Sequence, residues 1–198
     1  MSTQLLKNTK FLAEINSFYK QNEKEIIDII LFGSAVRGKE RPADADILVV
    51  YNLKANLDLS YNLKKELSSF GKIEIISKAY FQLFEPSFLA REAILGEGYS
   101  LVQKKSILEG LGYSSFILFL YNLENMTKTK RMQFYYSLYG RAVKGGVLKE
   151  LESYKLSERV ILTPVKNAEK MKEYLGKWMK FLEIPVFFPS RLINTIIK

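Results

Sequence analysis

Ile29-Ile30-Leu31-Phe32-Gly33-Ser34, followed by Asp44-Ala45-Asp46-Ile47-Leu48-Val49-Val50, decides how the N-terminal half of this chain folds. An apolar run of strand length, Ile26 to Phe32, is interrupted only by Asp28 and enters a Gly-Ser turn. A second apolar strand, Asp44 to Tyr51, opens with carboxylates at i and i+2. Because side chains alternate along a strand, Asp44 and Asp46 share one face while Ala45 and Ile47 share the other. Two neighbouring carboxylates on a mostly buried strand repel each other and lose hydration unless a cation sits between them. Gly33-Ser34, opening a short helical turn over Ser34–Gly38, offers backbone N–H groups and a hydroxyl that suit a phosphate. Carboxylates for metal beside a phosphate cradle form the inventory for moving a phosphoryl or nucleotidyl group.

Outward from this stretch, apolar spacing predicts a helix over 3–24 and a loop over Lys39–Ala43 that contains Pro42. A helix follows over Asp58–Phe70, with Leu59, Leu63 and Leu67 on one face and Gly71 at its end. A third strand runs over Lys72–Ser77. Pro86–Leu95 reads as a helix with Pro near its start and Gly96 after its end, and Tyr99–Val102 as a short strand. Alternating strands and helices make residues 1–105 a small α/β sheet domain. The pattern breaks over Gln103–Gly112, and residues 106–198 read as a smaller α+β domain. Its strands are Tyr113–Tyr121, Arg159–Val165 and Ile184–Phe188. Its helices are Thr127–Tyr139, Gly145–Glu152 and Asn167–Leu182. In the last of these Asn167 is the expected N-cap, and Met171, Tyr174, Leu175, Trp178 and Leu182 share a face.

The chain has neither Cys nor His, which excludes disulfide frameworks, thiolate zinc sites, Ser-His-Asp catalysis and His-ligated metals. A metal here must be held by oxygen, which points to Mg²⁺ or Mn²⁺. At 47% hydrophobic and 26% charged residues, the composition is that of a soluble globular protein. The longest strongly apolar run, Phe116 to Tyr121, is too short to span a bilayer, and the N-terminus carries no secretory pattern, so no membrane contact and a cytoplasmic location are expected. The net charge of +9 is uneven. Residues 1–105 carry 15 Lys+Arg against 13 Asp+Glu, whereas residues 106–198 carry 15 against 8. A basic half beside a near-neutral one suggests an anionic partner held by the second, with a merely Lys-rich solvated surface as the plain alternative.

Nucleotidyl transfer with two metals usually calls for a third carboxylate. Glu74, an acid within the apolar strand Lys72-Ile73-Glu74-Ile75-Ile76, is the candidate, provided that this strand lies beside Asp44–Tyr51. The ordered set of Gly33-Ser34, nine intervening residues, Asp44-x-Asp46 and an apolar-flanked Glu74 resembles the DNA polymerase beta-like nucleotidyltransferase superfamily. The wording Phe32-Gly33-Ser34-Ala35-Val36-Arg37-Gly38 resembles its minimal archaeal and bacterial members. The similarity covers about residues 25–105 and includes Pro86-Ser87-Phe88-Leu89-Ala90-Arg91-Glu92 through Glu97-Gly98. It implies a mixed sheet flanked by helices. The chain departs from the family pattern at Ala43, where Ser or Thr often precedes the first Asp, and at Glu74, one methylene longer than the usual Asp.

By this resemblance, Gly33 and Ser34 bind the β- and γ-phosphates of a nucleoside triphosphate, ATP among the candidates. Arg37 is a further triphosphate donor. Asp44 and Asp46 bridge two Mg²⁺ ions, and Glu74 completes the second metal site. The implied reaction is Mg²⁺-dependent transfer of a nucleoside monophosphate to a hydroxyl on a nucleic-acid end, a protein or a small molecule. A protein partner of the toxin–antitoxin type is a further implication. Short enzymes of this kind often act with a helical nuclease that depends on an Arg and a His, which a chain without His does not carry. The alternative is a non-catalytic nucleic-acid-binding or antitoxin-like regulator on the same fold. Plainer readings stand beside the site residues: Asp44 as a turn cap, Glu74 as a salt-bridge partner on an edge strand, Arg37 as structural. Lys128-x-Lys130-Arg131 reads as a solvated helix face or a phosphate contact, and Phe134-Tyr135-Tyr136-Ser137-Leu138-Tyr139 as core packing or a base-stacking surface. Tyr139-Gly140-Arg141 and Lys144-Gly145-Gly146 read as a flexible basic turn.

Overall fold

Asn8 divides the expected N-terminal helix in two, α1 (Gln4–Lys7) and α2 (Thr9–Gln21). Its side-chain oxygen accepts from the backbone N–H groups of Lys10 (3.0 Å) and Phe11 (3.2 Å), which starts a new helix at Thr9. The computed structural model describes residues 4–37, 44–141 and 144–196, in two compact units, Met1–Leu111 and Gly112–Lys198. Gly38, the expected Lys39–Ala43 loop and the departure at Ala43 lie outside the described residues.

The first unit continues through β1 (Ile26–Phe32), β2 (Ala45–Tyr51), α3 (Leu57–Glu66), β3 (Ile73–Ala79), α4 (Arg91–Glu97), β4 (Tyr99–Ser100), β5 (Lys105–Ser106) and α5 (Ile107–Gly110). The five strands form one mixed sheet in the order β3-β2-β1-β4-β5, parallel between β2 and β3 and antiparallel elsewhere. On one face, Ile29, Leu31, Ala45, Ile47 and Val49 pack with Phe11, Ile15 and Phe18 of α2 and Leu63 of α3. On the other, Ile30, Phe32, Leu48 and Val50 pack with Phe88 and Ile94. Burial on both faces is why β1 and β2 read as near-continuous apolar runs rather than alternating ones. Asp28, the polar interruption in β1, sits where the β1–β2 register shifts. It accepts from the Ile29 N–H (2.8 Å) and from the Ser100 hydroxyl (2.7 Å), which ties β1 to the end of β4.

Several boundaries differ from the sequence expectation. The helix expected over Pro86–Leu95 starts at Arg91. Phe88 is drawn into the core between the strands and the helix, and successive three-residue turns, Phe88 N–H to Glu85 O (3.0 Å) and Arg91 N–H to Phe88 O (3.4 Å), replace the helical ladder before it. Helix α3 ends at Glu66, and Leu67–Phe70 tightens into a 3₁₀ turn before Gly71, whose φ of 121° suits only glycine. The first unit runs on to Leu111 because Lys105–Ser106 pairs with Tyr99–Ser100.

The second unit holds β6 (Tyr113–Tyr121), α6 (Lys128–Tyr139), the ribbon β7 (Gly140–Arg141) and β8 (Lys144–Gly145), α7 (Val147–Glu150), β9 (Tyr154–Ser157), β10 (Val160–Pro164), α8 (Ala168–Gly176), β11 (Phe181–Pro189) and α9 (Ile193–Ile196). An antiparallel sheet in the order β11-β6-β10-β9 presents Ile117, Phe119, Tyr121 and Ile161 to Phe134 and Leu138 of α6 and Met171 and Leu175 of α8. The helix expected through Leu182 stops at Gly176, and Leu182 instead belongs to β11, where it pairs with Leu120 of β6. Asn167 is no N-cap. Its buried amide donates to the Leu151 carbonyl at 2.9 Å. Among the described residues no helix is long and apolar enough to cross a membrane.

Candidate active site

The register of three strands assembles the site. Phe32 lies opposite Asp46 across β1 and β2, so Gly33, the next residue, arrives beside the Asp46 side chain. Across the parallel pair, Ala45 lies beside Ile73 and Asp46 beside Glu74, and the Ala45 N–H donates to the Lys72 carbonyl at 2.9 Å. Strand alternation therefore puts Asp46 and Glu74 on one face, with Asp44 and Lys72 two residues earlier on the same side. This is the face that carries Leu48 and Val50, at the end of the apolar layer beneath α4.

Gly33 is required twice over. Its φ of +74° lies in the left-handed region, and a Cβ placed there would fall 2.7 Å from Asp46 Oδ2. The chain then makes one 3₁₀ turn, Gly33–Ala35, in which the N–H groups of Val36 (3.0 Å) and Arg37 (3.3 Å) both point to the Gly33 carbonyl. Ser34 is half-buried on this turn.

Electrostatics single out Asp46. Burial pushes its carboxyl above the ordinary value, the charges of Asp44 and Glu74 push it further, and the Lys72 ammonium pulls it partly back. That ammonium lies 3.0 Å from Glu74 Oε1 and 3.3 Å from Asp44 Oδ2. The two carboxylates, Glu74 first, raise the pKa of the lysine. Lys72 is thus a member of the cluster that sequence reasoning missed. Its signal was position: two residues before Glu74 on a strand is the same face.

The structure brings Gly33, Asp44, Asp46 and Glu74 together, with Ser34 following Gly33. Arg37 leaves the turn toward α4, where its Nη1 lies 3.7 Å from Glu97 Oε1, with side chains only 28% and 12% exposed. Glu74 is on the edge strand β3 and ion-paired, so the plain reading of it as a salt-bridge partner also finds its partner. Among the described residues no group of three acidic side chains is arranged so that it could hold an ion as it stands. The donor chemistry nevertheless fits a hard divalent cation: only oxygen ligands face the site, and a positive charge already lies among them. Asp44, Asp46 and Glu74 are the residues that could hold such an ion.

In the second unit, Phe134 and Leu138 of the tyrosine-rich helix turn into the core, whereas Tyr136 and Tyr139 are 44% and 52% exposed. Tyr135 and Tyr139 stack at 6.3 Å, and the Lys155 ammonium lies 5.0 and 5.4 Å from their ring centres. Lys128 and Lys130 are exposed at the start of α6, while Arg131 donates to the Leu123 carbonyl at 3.0 Å.

Residues 13–106 match the family described as polymerase beta, nucleotidyltransferase. Among solved structures, a toxin–antitoxin with AMP-PNP is 22% identical over 46% of this chain and 71% of that one, with a TM-score of 0.36. A mutant of the toxin–antitoxin MntA-HpeT is 18% identical over 46% of this chain and 70% of that one, also with a TM-score of 0.36. None of the curated proteins matches.

Proposed function

We propose that this protein, whose residues 13–106 match the polymerase beta nucleotidyltransferase family, transfers the nucleoside monophosphate of a triphosphate to a hydroxyl acceptor and releases pyrophosphate. One observation carries the reading: Asp46 lies in register with Glu74 on one side and against the Cβ-free face of Gly33 on the other. Acidic ligands and an open backbone turn are thereby adjacent.

In this reading Gly33 and Ser34 receive the β- and γ-phosphates, and Arg37 adds a charge-assisted contact from a guanidinium that Glu97 orients. Asp44 and Asp46 hold the Mg²⁺ or Mn²⁺, with Glu74 completing the ligand set. A divalent ion bound there supplies Lewis-acid stabilisation of the phosphoryl charge and lowers the pKa of the acceptor hydroxyl. The acceptor oxygen bonds to the α-phosphorus as the bond to the pyrophosphate oxygen breaks, and the hydroxyl proton leaves to a carboxylate or to solvent. The net +7 of residues 106–198 and the Tyr135–Tyr139–Lys155 group favour an anionic acceptor such as a nucleic-acid end. A protein hydroxyl on a toxin–antitoxin-type partner and a small molecule are the other acceptor classes. The cytoplasm, where ATP and the other triphosphates are made, is the proposed compartment.

Incubation with each α-labelled triphosphate, Mg²⁺ or Mn²⁺ and a lysate of the source cells tests this. Label is expected in nucleic acid, protein or a small molecule with the wild type and not with the doubly substituted Asp44→Asn/Asp46→Asn protein. The second reading, a non-catalytic nucleic-acid-binding or antitoxin-like regulator, draws on the lysine already lodged among the carboxylates. It predicts no transfer, and salt-sensitive binding that both Asp→Asn changes leave intact.

A further inference from the structure

We propose that Lys72 is a tethered counter-ion that a divalent metal must displace, so that it sets the metal threshold of the site and excludes monovalent cations. The inference rests on the metal-dependent reading of the same carboxylates.

Four side chains start the β2–β3 pair: Asp44 and Asp46 from one strand, Lys72 and Glu74 from the other. Register places Asp46 beside Glu74, and the Ala45 N–H to Lys72 carbonyl bond extends the pairing one residue further. The sheet therefore fixes the lysine backbone, while its side chain lies largely in solvent. The ammonium bridges the two strands, 3.0 Å from Glu74 and 3.3 Å from Asp44. Without it, three like charges would converge where Asp46 is already half-buried beside a glycine.

The bridge is also built to open. The Lys72 side chain is 64% exposed, Glu74 52% and Asp44 33%. Exposed pairs of this kind are screened by water and are weakly held. A lysine ammonium is a strongly hydrated point charge on a flexible stem, without the two-pronged grip an arginine would have on the same carboxylates. When it swings out into solvent it regains hydration at small cost.

The charge balance gives selectivity. A sodium or potassium ion would replace one unit charge with another, and would lose the entropic advantage of a cation already attached to the chain. A divalent ion brings twice the charge to the same oxygens and can expel the ammonium. Lys72 therefore has two opposed effects. It stabilises the metal-free fold by neutralising carboxylates, and it weakens apparent metal affinity by competing for them.

Mn²⁺ titration of the full chain, followed by electron paramagnetic resonance, tests this on the wild type, Lys72→Met and Lys72→Arg. Lys72→Met is expected to bind Mn²⁺ roughly fivefold more tightly, the scale of one unit charge at a few ångströms in a solvated site. It is also expected to melt lower without metal, to gain more from Mn²⁺, and to show Mn²⁺ binding that potassium weakens more than in the wild type. Lys72→Arg is expected to retain the competition. Equal or weaker Mn²⁺ binding by Lys72→Met, with clear binding by the wild type, would overturn the inference and leave the nucleotidyltransferase reading standing. Binding by neither protein, with both folded, would overturn the two together.

Discussion

Gly33 approaches Asp46 so closely that a methyl group on its Cα would lie 2.7 Å from Asp46 Oδ2. With φ at +74° there is also backbone strain for any other residue. Gly33→Ala is expected to cost about 1–2 kcal/mol of stability from the left-handed conformation alone. It is also expected to displace the Asp46 carboxylate, so transfer activity should fall by more than the stability loss explains. Thermal melts alongside initial rates separate the two effects.

Asp46 is expected to trade stability against function. Burial and the neighbouring charges of Asp44 and Glu74 disfavour its ionised form. Asp46→Asn removes that charge, so the metal-free protein should melt at a higher temperature than the wild type. The same change should reduce nucleotidyl transfer by more than about 100-fold, beyond the range typical of residues that only support metal ligands. A variant that loses both stability and activity would contradict this account of the site's electrostatics.

Arg37 and Glu97 give a prediction that separates binding from packing. Arg37→Gln is expected to raise the KM for the triphosphate about tenfold, the scale of one charge-assisted contact, with little change in kcat. Glu97→Gln, which frees the guanidinium from its 3.7 Å partner, should raise KM less. If Arg37→Gln lowers stability and leaves KM unchanged, the arginine is a structural tie between the turn and α4.

Asp28 provides the pH test. Burial raises its carboxyl above the ordinary value, against hydrogen bonds from Ser100 and Ile29 that pull it down. A raised value in the folded state means that folding favours the protonated form. That contribution is complete below the unfolded pKa, about 3.9 for Asp, and is lost as pH rises through the folded value. Asp28→Asn keeps an acceptor oxygen for both donors. Its stability relative to the wild type should therefore increase as pH climbs from about 3.5 to about 7, measured by denaturant unfolding. A difference independent of pH would contradict it.

In the second unit, Phe134 is fully buried and meets Tyr121, Tyr174 and Trp178 at ring-centre distances of 5.8, 6.1 and 5.6 Å. Phe134→Ala is expected to cost about 3–5 kcal/mol in that unit. Tyr139→Ala, whose ring is half-exposed, should cost little stability but weaken any nucleic-acid binding that uses stacking.

Strands buried on both faces were the most legible part of the chain. Ile26–Phe32 coincides with β1 because every residue but Asp28 is apolar or packed, and Gly33 ends it abruptly. The region after Asn167 misled for the opposite reason. Met171, Tyr174, Leu175 and Trp178 keep a helical period, and Leu182 falls in phase with them although it belongs to β11. Gly176, the last helical residue, is a poor helix former inside that period. Pro86 suggested a helix start, but burial of Phe88 holds the preceding segment in turns. The edge strand β9 escaped notice because Tyr154–Ser157 is short, partly polar and exposed at its end. At the site, Asp44, Asp46 and Glu74 were visible as acids in apolar strands. Position on the strand could have placed Lys72 on the face of Glu74, but its reach to Asp44 and the pairing of Glu97 with Arg37 depend on what lies across from each in three dimensions.

Crystallography with Mn²⁺ and a non-hydrolysable nucleoside triphosphate tests the central claim most directly. Anomalous scattering from Mn²⁺ is predicted between Asp44 and Asp46, with the triphosphate against Gly33 and Ser34, its α-phosphorus facing Glu74, and the Lys72 ammonium moved off the carboxylates. Mn²⁺ absent from these oxygens, with Lys72 still bridging Asp44 and Glu74 and the nucleotide bound elsewhere or not at all, would contradict it.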